Sequence, residues 1–179
     1  MTHTANSVEG KIGNGLNFSG SNDYVDMGDI NALELGTNDF SMSIWVKVSA
    51  EQPDEYSGTR YAGIIGKGYL DNISGHGILL SNERVYYQVR QKGTGSVNVS
   101  SSSTIADGQW HHIVSVVDRD SVDGLKLYVD NVLQETADPT QFAGIDLSNT
   151  DSFAIGSRGK PGDFRFDFKG SLDQVQVYN

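Results

Sequence analysis

The sequence predicts an all-β fold of short antiparallel strands, in the form of a sandwich or a barrel. Apolar residues recur at every second position along most of the chain, which is the period of a strand with one buried face. The 21 glycines, together with Ser, Asn and Asp, separate these stretches in the way that turns between strands require. No segment of a dozen residues keeps a helical period, so helices are not expected to form a layer of the fold.

The stretch FSMSIWVKV, residues 40–48, shows the alternation most clearly. One face carries Phe40, Met42, Ile44, Val46 and Val48. The other face carries Ser41, Ser43, Trp45 and Lys47. The flanking apolar residues favour a core position for Trp45 over a role in stacking against a ligand.

Later segments repeat this period and add turn signals. Strands are predicted over RVYYQVR (84–90), WHHIVSVV (110–117), LKLYV (125–129) and LDQVQVY (172–178). Asp130-Asn131 fits a tight hairpin turn, because Asn tolerates positive φ. The serine-rich stretch 96–108 is typical of an edge strand and its loop, and INALELG at 30–36 predicts a single helical turn.

Composition excludes several classes of function. The 179 residues show neither a linker nor an internal repeat, so one domain, 1–179, is predicted. The chain has no cysteine, which rules out disulfides, thiol catalysis and thiolate metal sites. Its formal net charge of −10, with aspartates outnumbering glutamates, argues against nucleic-acid binding. No apolar run is long enough to span a membrane, and the first residues do not form a signal peptide.

Two adjacent histidines in DGQWHHIVSVVD, residues 107–118, raise the question of a metal or catalytic pair. On a strand, His111 and His112 point to opposite faces, so they cannot share one metal ion. Apolar residues follow on both faces, which predicts a central strand with at least one histidine buried and hydrogen-bonded. Both histidines are therefore interpreted as parts of the scaffold.

These segments resemble a known family. WHHIVSVVD followed by LKLYVDN resembles the "gqWHHva…lYvDG" signature of laminin-G-like modules with the concanavalin A-like lectin/glucanase fold. GKIGNGLNFSGSNDYVDMG, NDFSMSIWVK, FAIGS and FKGSLDQVQVYN are similar to other family segments in the family's order, from Gly10 to Asn179. Asn131 departs from the usual glycine and still allows the turn. The resemblance implies a jelly-roll of two large antiparallel sheets, in a secreted or cell-surface domain excised from a larger exported protein.

Catalysis is not expected. Glycoside hydrolases of this fold carry two carboxylates on one strand at i, i+2 or i+4, so that both reach the same sugar. None of the six glutamates lies in the middle of a predicted strand with such a partner. The nucleophile motif G-x-S-x-G is also absent.

The resemblance also implies a structural calcium ion where the early turn meets the last strand. Its ligands on this chain would be Asp173 together with Asp23, Asn22 and Gly20 of the turn. Calcium binds six to eight oxygens, many of them from backbone carbonyls, so such a site leaves a weak mark on a sequence. The alternative is that Asp23 and Asp173 only cap turns.

Aromatic and basic residues mark a candidate ligand surface. The predicted strand 84–92 presents Tyr86, Gln88 and Arg90 opposite its apolar face, a mixture that can stack on a sugar ring and hydrogen-bond its hydroxyls. The predicted loops 51–61 and 157–167 add Arg60, Tyr61 and Arg158, as well as Tyr56, Lys160, Phe164 and Arg165. Local positive charge on an acidic protein favours an acidic ligand. The alternative is an ordinary sandwich surface, on which exposed Tyr and Arg are common.

Three functions remain open from the sequence. The first is a carbohydrate-binding module for a glycan, possibly an acidic polysaccharide, attached to other domains of the same parent chain. The second is an adhesion module that binds a protein or peptide. The third is a divergent glycoside hydrolase.

Overall fold

The computed structural model describes residues 2–3, 5–48, 52, 55–56, 59–68, 73–157 and 167–179. Its strands are β1 (Thr2–His3), β2 (Asn6–Glu9), β3 (Asn14–Ser19), β4 (Val25–Asp26), β5 (Phe40–Val48), β6 (Glu55–Tyr56), β7 (Thr59–Lys67), β8 (Gly75–Ser81), β9 (Arg84–Gln91), β10 (Gly95–Thr104), β11 (Trp110–Val117), β12 (Leu125–Val129), β13 (Val132–Ala137), β14 (Phe153–Ile155) and β15 (Lys169–Tyr178). Short 3-10 helices cover Asn31–Leu33, within the predicted helical turn, and Thr140–Phe142, which the sequence analysis did not anticipate.

The strands of the described residues form two antiparallel sheets. Sheet I has the order β1-β4-β14-β7-β8-β9-β10, with β6 paired to β7. Sheet II has the order β13-β12-β11-β5-β15-β3-β2. The predicted two-sheet antiparallel sandwich of the jelly-roll type is confirmed.

Side-chain alternation builds the core between the sheets. In sheet II, Ile44 of β5 pairs with Ile113 of β11, and both are fully buried. In sheet I, Tyr87 of β9 pairs with Ile78 of β8, and neither is more than 1% exposed. Burying one large aliphatic side chain contributes about 1.5–3 kcal/mol, so these facing rows supply most of the stability.

The hairpin between β12 and β13 turns where the sequence predicted. Asp130 and Asn131 have φ of 51° and 65°, the positive values that a type I′ turn requires at both central residues. Asn adopts this region at little cost, so the departure from the family's glycine leaves the turn intact.

Side chains of β13 cover the free edge of β10 and join the two sheets on this side. Glu135 Oε2 accepts hydrogen bonds from the Ser100 backbone N–H at 2.6 Å and from its hydroxyl at 3.2 Å. Gln134 Oε1 accepts from the Ser102 hydroxyl at 3.0 Å. An uncovered edge strand can pair with another chain, so these contacts also limit aggregation.

A buried arginine fixes the loops at one end of the sandwich. Arg119 is 1% exposed, and its guanidinium donates to the carbonyl of Ile145 at 2.8 Å and to the carbonyls of Gly36 and Asn38. Its backbone N–H donates to Asp39 Oδ1 at 2.8 Å. The loop after β11 is thereby tied to the segments before β5 and before β14.

His76 is a buried imidazole in an apolar setting. Its ring centroid lies 5.0 Å from that of Phe40 and 6.4 Å from that of Phe153. Neither ring nitrogen has a hydrogen-bond partner among the described residues. Burial, and secondarily the charge of Lys67 on the neighbouring strand, lower the pKa of His76 to about 3.

We predict that His76 makes the protein sensitive to mild acid. Between the folded pKa of about 3 and the unfolded value of 6.5, the unfolded chain binds an extra proton. The stabilisation is therefore complete above pH 6.5 and is lost as the pH falls toward 3. From pH 6 to 5, the unfolding free energy of the wild type should fall by up to about 1.4 kcal/mol per pH unit more than that of His76→Leu, measured by urea denaturation.

At pH 7 the same substitution should leave the unfolding free energy unchanged or raise it, because it removes a buried polar group that has no partner. Parallel pH profiles for the two proteins between pH 6 and 5 would contradict this account of His76.

Candidate functional site

Strand β9 presents a polar row on the outer face of sheet I. Val85, Tyr87 and Val89 point into the core and are fully buried. Their neighbours along the strand, Arg84, Tyr86, Gln88 and Arg90, therefore point outward. This set is called the β9 row.

The structure brings together three of the predicted ligand-binding residues in this row. Tyr86, Gln88 and Arg90 follow one another at i, i+2 and i+4. Gln88 Nε2 donates a hydrogen bond to Tyr86 Oη at 3.2 Å, which fixes the amide beside the ring. Tyr86 and Arg90 are half-exposed, whereas Gln88 is 7% exposed.

Tyr61 lies on the same face, two strands away. It pairs with Ser81 of β8, which in turn pairs with Arg84 of β9, so Tyr61 faces the Arg84 end of the β9 row. Arg60 belongs to β7, but its side chain lies outside the described residues, as does Arg158. The same holds for the side chains of Tyr56, Lys160, Phe164 and Arg165.

The strands beside β9 contribute residues that the sequence analysis did not select. Gly77 and Leu79 of β8 pair with Gln88 and Tyr86. Leu79 is 3% exposed although it faces away from the core, so this part of the outer face is sheltered from solvent. On the other side, β10 adds the polar side chains of Ser96, Asn98 and Ser100. The alternation in SVNVSSSS could have identified them, because they occupy the non-apolar positions.

The predicted calcium ligands are not brought to one place. Ser19, just before the turn, pairs with Lys169 of β15. Asp173 lies four residues further along β15, or about 13 Å at the rise of a strand. A β-bulge follows it, at the register shift between Asp173 and Gln176. The predicted meeting of Asp173 with Gly20, Asn22 and Asp23 is therefore not present.

Both carboxylate oxygens of Asp173 already have backbone partners. Oδ2 accepts from the Ile12 N–H at 2.8 Å, and Oδ1 accepts from the Gln174 N–H at 2.7 Å. Asp173 is 6% exposed, and a Cβ at Gly10 would lie 2.6 Å from its Oδ2. The side chain thus ties the last strand to the 10–13 turn, which needs glycine at position 10.

A different aspartate reaches the predicted turn. Asp167 is 4% exposed, and its Oδ2 accepts from the Asn22 N–H at 2.6 Å. Asp23 Oδ2 accepts from the Ser19 N–H at 2.7 Å, which closes the turn within itself. In the described part of the chain, no group of three His, Asp or Glu side chains is placed to hold a metal ion. The calcium ion stays a prediction of the resemblance, and the proposed ligand set does not fit it.

The paired histidines point to opposite faces and contact different partners. His111 Nδ1 lies 2.7 Å from Asp130 Oδ2, and its Nε2 lies 3.0 Å from Asp107 Oδ1. Both histidines are only half-buried, so the prediction that at least one of them is buried is wrong. Burial acts to lower the pKa of His111, but the hydrogen bonds to Asp130 and Asp107 outweigh it and raise the pKa above 6.5. Because the two carboxylates lie at different ring nitrogens, they clamp two loops and do not converge on a common ion.

Trp45 lies on the outer face of sheet II and not in the core, contrary to the sequence-based prediction. Its ring stacks on His112 with centroids 4.9 Å apart and an angle of 29° between the planes. Lys11 Nζ lies 4.6 Å from the Trp45 ring centroid. The alternation in residues 40–48 places Trp45 opposite the apolar face, and the indole is half-buried there by its contacts with His112 and Lys11.

The chain matches one protein family along most of its length. The Laminin_G_3 model, described as "Concanavalin A-like lectin/glucanases superfamily", matches residues 19–179. Among curated proteins, none matches the sequence. In the described residues, no helix is long and apolar enough to cross a membrane.

Several solved structures share the fold at low sequence identity. The binding domain of Paraclostridial Mosquitocidal Protein 1 has a TM-score of 0.74 and 18% identity, over 99% of this chain and 43% of that one. Domain 4 of AbnA, an extracellular arabinanase from Geobacillus stearothermophilus in complex with arabinotriose, has a TM-score of 0.68 and 21% identity, over 99% and 76%. The CBM40 of a Ruminococcus gnavus sialidase, bound to α2,3-sialyllactose, has a TM-score of 0.72 and 17% identity, over 92% and 89%. At these identities the likeness shows the fold alone.

We predict that Asp173 stabilises the fold without calcium. Asp173→Ala removes two hydrogen bonds to a buried carboxylate and should lower the unfolding free energy by about 2–3 kcal/mol. The loss should be equal in excess calcium and in excess chelator. Asp23→Ala, whose carboxylate lies in an exposed turn, serves as the matched control and should cost less. A chelator effect on the wild type that disappears in Asp173→Ala would instead place the ion at Asp173.

We also predict that the contribution of His111 to stability falls as the pH rises, whereas that of His76 falls as the pH is lowered. Because its folded pKa is raised above 6.5, its stabilisation is complete below pH 6.5 and is lost as the pH rises through the folded pKa. NMR titration should give a His111 pKa above 6.5, and Asp130→Asn should lower it. The excess stability of the wild type over His111→Gln should shrink as the pH rises above 6.5. A His111 pKa that does not respond to Asp130→Asn would contradict the clamp.

Proposed function

We propose that this chain, which belongs to the Laminin_G_3 family of the concanavalin A-like superfamily, is a non-catalytic module that binds a glycan on the outer face of sheet I. The observation that carries the proposal is the β9 row, which combines an aromatic ring, an amide and a guanidinium at i, i+2 and i+4 on one rigid strand. The core residues of β9 hold that strand in place, so the row is preorganised.

The chemistry of the row suits a sugar chain. The half-exposed ring of Tyr86 offers an apolar face for a pyranose. Gln88 is 7% exposed, and its bond to Tyr86 Oη holds the ring in place for that contact. Arg90 presents donors in a fork that matches a carboxylate or a sulfate. Ser96 and Asn98 of β10 extend this hydrogen-bonding surface by one strand, whereas the Ser100 hydroxyl is bonded to Glu135.

The local charge supports an acidic glycan. The protein has a formal net charge of −10, yet the β9 row contains Arg84 and Arg90. The described outward positions of β7 to β10 hold no Asp or Glu, although Glu135 of β13 brings a carboxylate to Ser100 at the β10 edge. A glycosidase needs two carboxylates beside its substrate, so the same charge distribution supports binding without turnover.

The structural neighbours agree with a binding role. A sialidase module and an arabinanase domain of this fold are seen with sialyllactose and arabinotriose. These ligands belong to those proteins, and they support a glycan for this chain only by analogy of fold. Attachment to other domains of a secreted or cell-surface parent chain is part of the same proposal.

A protein-binding module is the second candidate, and the outer face of sheet II favours it. There Val114 and Tyr128 pair across β11 and β12, and Leu133 is 48% exposed beside Tyr128. Tyr178 of β15, which pairs with Ser41 of β5, is 53% exposed. Exposed apolar residues on a sheet face are typical of protein contacts when they form a continuous patch.

Calorimetric titration with uronate-containing, sulfated and neutral oligosaccharides tests the glycan proposal. The acidic ligands should bind with a dissociation constant between about micromolar and millimolar, because a shallow polar site buries little apolar surface. Tyr86→Ala should weaken binding by about tenfold, and Arg90→Ala should weaken acidic ligands more than neutral ones.

Tyr178→Ala and Lys126→Ala, on sheet II, are the matched controls and should bind normally. If no oligosaccharide binds at millimolar concentration while a protein partner binds and is lost in Tyr128→Ala, the glycan proposal is wrong and the second candidate replaces it.

A further inference from the structure

A cleft opens at the end of the β9 row. It has a volume of about 320 Å³ and is lined by Ile73, Ser74, Lys92, Ser148, Asn149, Thr150 and Asp151. Ser74 comes immediately before β8, and Lys92 comes immediately after β9. Gly75 pairs with Arg90, so the cleft adjoins the Arg90 end of the row.

Hydrogen bonds between its walls fix the shape of this cleft. Asn149 Nδ2 donates to the Ser74 carbonyl at 3.0 Å, and Asn149 Oδ1 accepts from the Asp151 N–H at 2.9 Å. The Lys92 N–H donates to the Ser74 hydroxyl at 3.1 Å. The loop before β14 is thus joined to the ends of β8 and β9.

A buried ion cluster anchors the same loop to the body of the sandwich. The Asn149 N–H donates to Glu34 Oε2 at 3.2 Å, and Glu34 Oε1 lies 2.5 Å from Lys67 Nζ. Lys67 also contacts Asp29 at 2.6 Å, and its side chain is only 2% exposed. Charge-assisted bonds to a buried ammonium are strong, so the cleft is preorganised before any ligand arrives.

The lining of the cleft contains the groups that one sugar residue requires. Ser148 and Thr150 are exposed hydroxyl residues, and Lys92 is an exposed ammonium. Asp151 is the carboxylate in the lining. One positive and one negative charge suit a sugar with a single acidic group, because Asp151 would repel a second anionic group.

We propose that the cleft is a further subsite of the glycan surface and takes one uronic acid residue, whose carboxylate pairs with Lys92. This inference rests on the proposed glycan function. The rest of the ligand lies along the β9 row, over Arg90 and Gln88 toward Tyr86. Lys92 lies six positions after Tyr86, a span of about 20 Å at the rise of a strand, so the ligand is a linear acidic oligosaccharide and not a single sugar.

The experiment is calorimetric titration with linear oligouronates of two to six units. For the wild type, affinity should rise with chain length until the ligand spans the cleft and the β9 row. Lys92→Met should weaken the binding of the longer ligands by about tenfold, because these reach the cleft. It should leave the affinity for the shortest ligands unchanged, because they can bind on the β9 row alone. Lys126→Met, which removes a lysine from sheet II, is the matched control.

A fully sulfated oligosaccharide of the same length provides the second arm. It should bind less tightly than the oligouronate, and Asp151→Asn should raise its affinity by removing the repulsion. Lys92→Met should leave the melting temperature unchanged, since Lys92 is exposed. Asp151→Asn should leave it unchanged or raise it, because it removes the charge of a carboxylate whose Oδ2 is buried without a partner among the described residues.

The outcomes separate the two proposals. If no oligosaccharide binds any variant, the glycan function itself fails. If oligouronates bind and Tyr86→Ala weakens them, but affinity neither rises with length nor responds to Lys92→Met, the function stands and the cleft is not a subsite.

Discussion

The two-residue period of β9 is the constraint on which both the core and the proposed binding surface depend. Val85, Tyr87 and Val89 pack into the sandwich, so every intervening side chain must face outward. A slip of one residue would bury Arg90 and expose Val89, at a cost of several kcal/mol for the desolvated charge. The pairing with β8 and β10 on either side therefore fixes the core and the polar row in a single step.

Buried charges hold the loops that surround this sheet. Lys67 pairs with two carboxylates of the 29–34 segment. Arg119 joins the loop after β11 to two other loops, and Asp167 accepts a hydrogen bond from the turn at Asn22. Each charge costs free energy to desolvate, and its hydrogen bonds offset that cost only when the loops adopt one arrangement. These buried charges thus add little net stability, but they make the loop positions specific, which a preorganised cleft requires.

Features that depend on one short segment of the sequence could be predicted, whereas contacts between distant segments could not. The alternation in 40–48 and 84–90 predicted the strands, and i, i+2 spacing alone placed Tyr86, Gln88 and Arg90 side by side. The position of Asp173 relative to the 20–23 turn depends on the register of β15 against β3, which no local pattern encodes. The contact of His111 with Asp130 depends in the same way on the hairpin that returns β12 beside β11. The prediction of a core position for Trp45 failed for a related reason: its shelter on the outer face comes from His112, on a neighbouring strand.

An acidic ligand must bind the basic β9 row although the protein as a whole carries a net negative charge. At physiological ionic strength the Debye length is about 8 Å, so most of the 23 carboxylates are screened from a ligand on β9. Arg90 and Lys92 contact the ligand directly under this proposal, and direct contacts are screened far less. The two basic residues therefore outweigh the net charge of −10 only in direct contact, while at a distance that charge repels any anionic ligand and slows its approach. Under this proposal a moderately charged glycan is favoured over a densely charged polyanion, because Arg84, Arg90 and Lys92 can pair with only a few anionic groups.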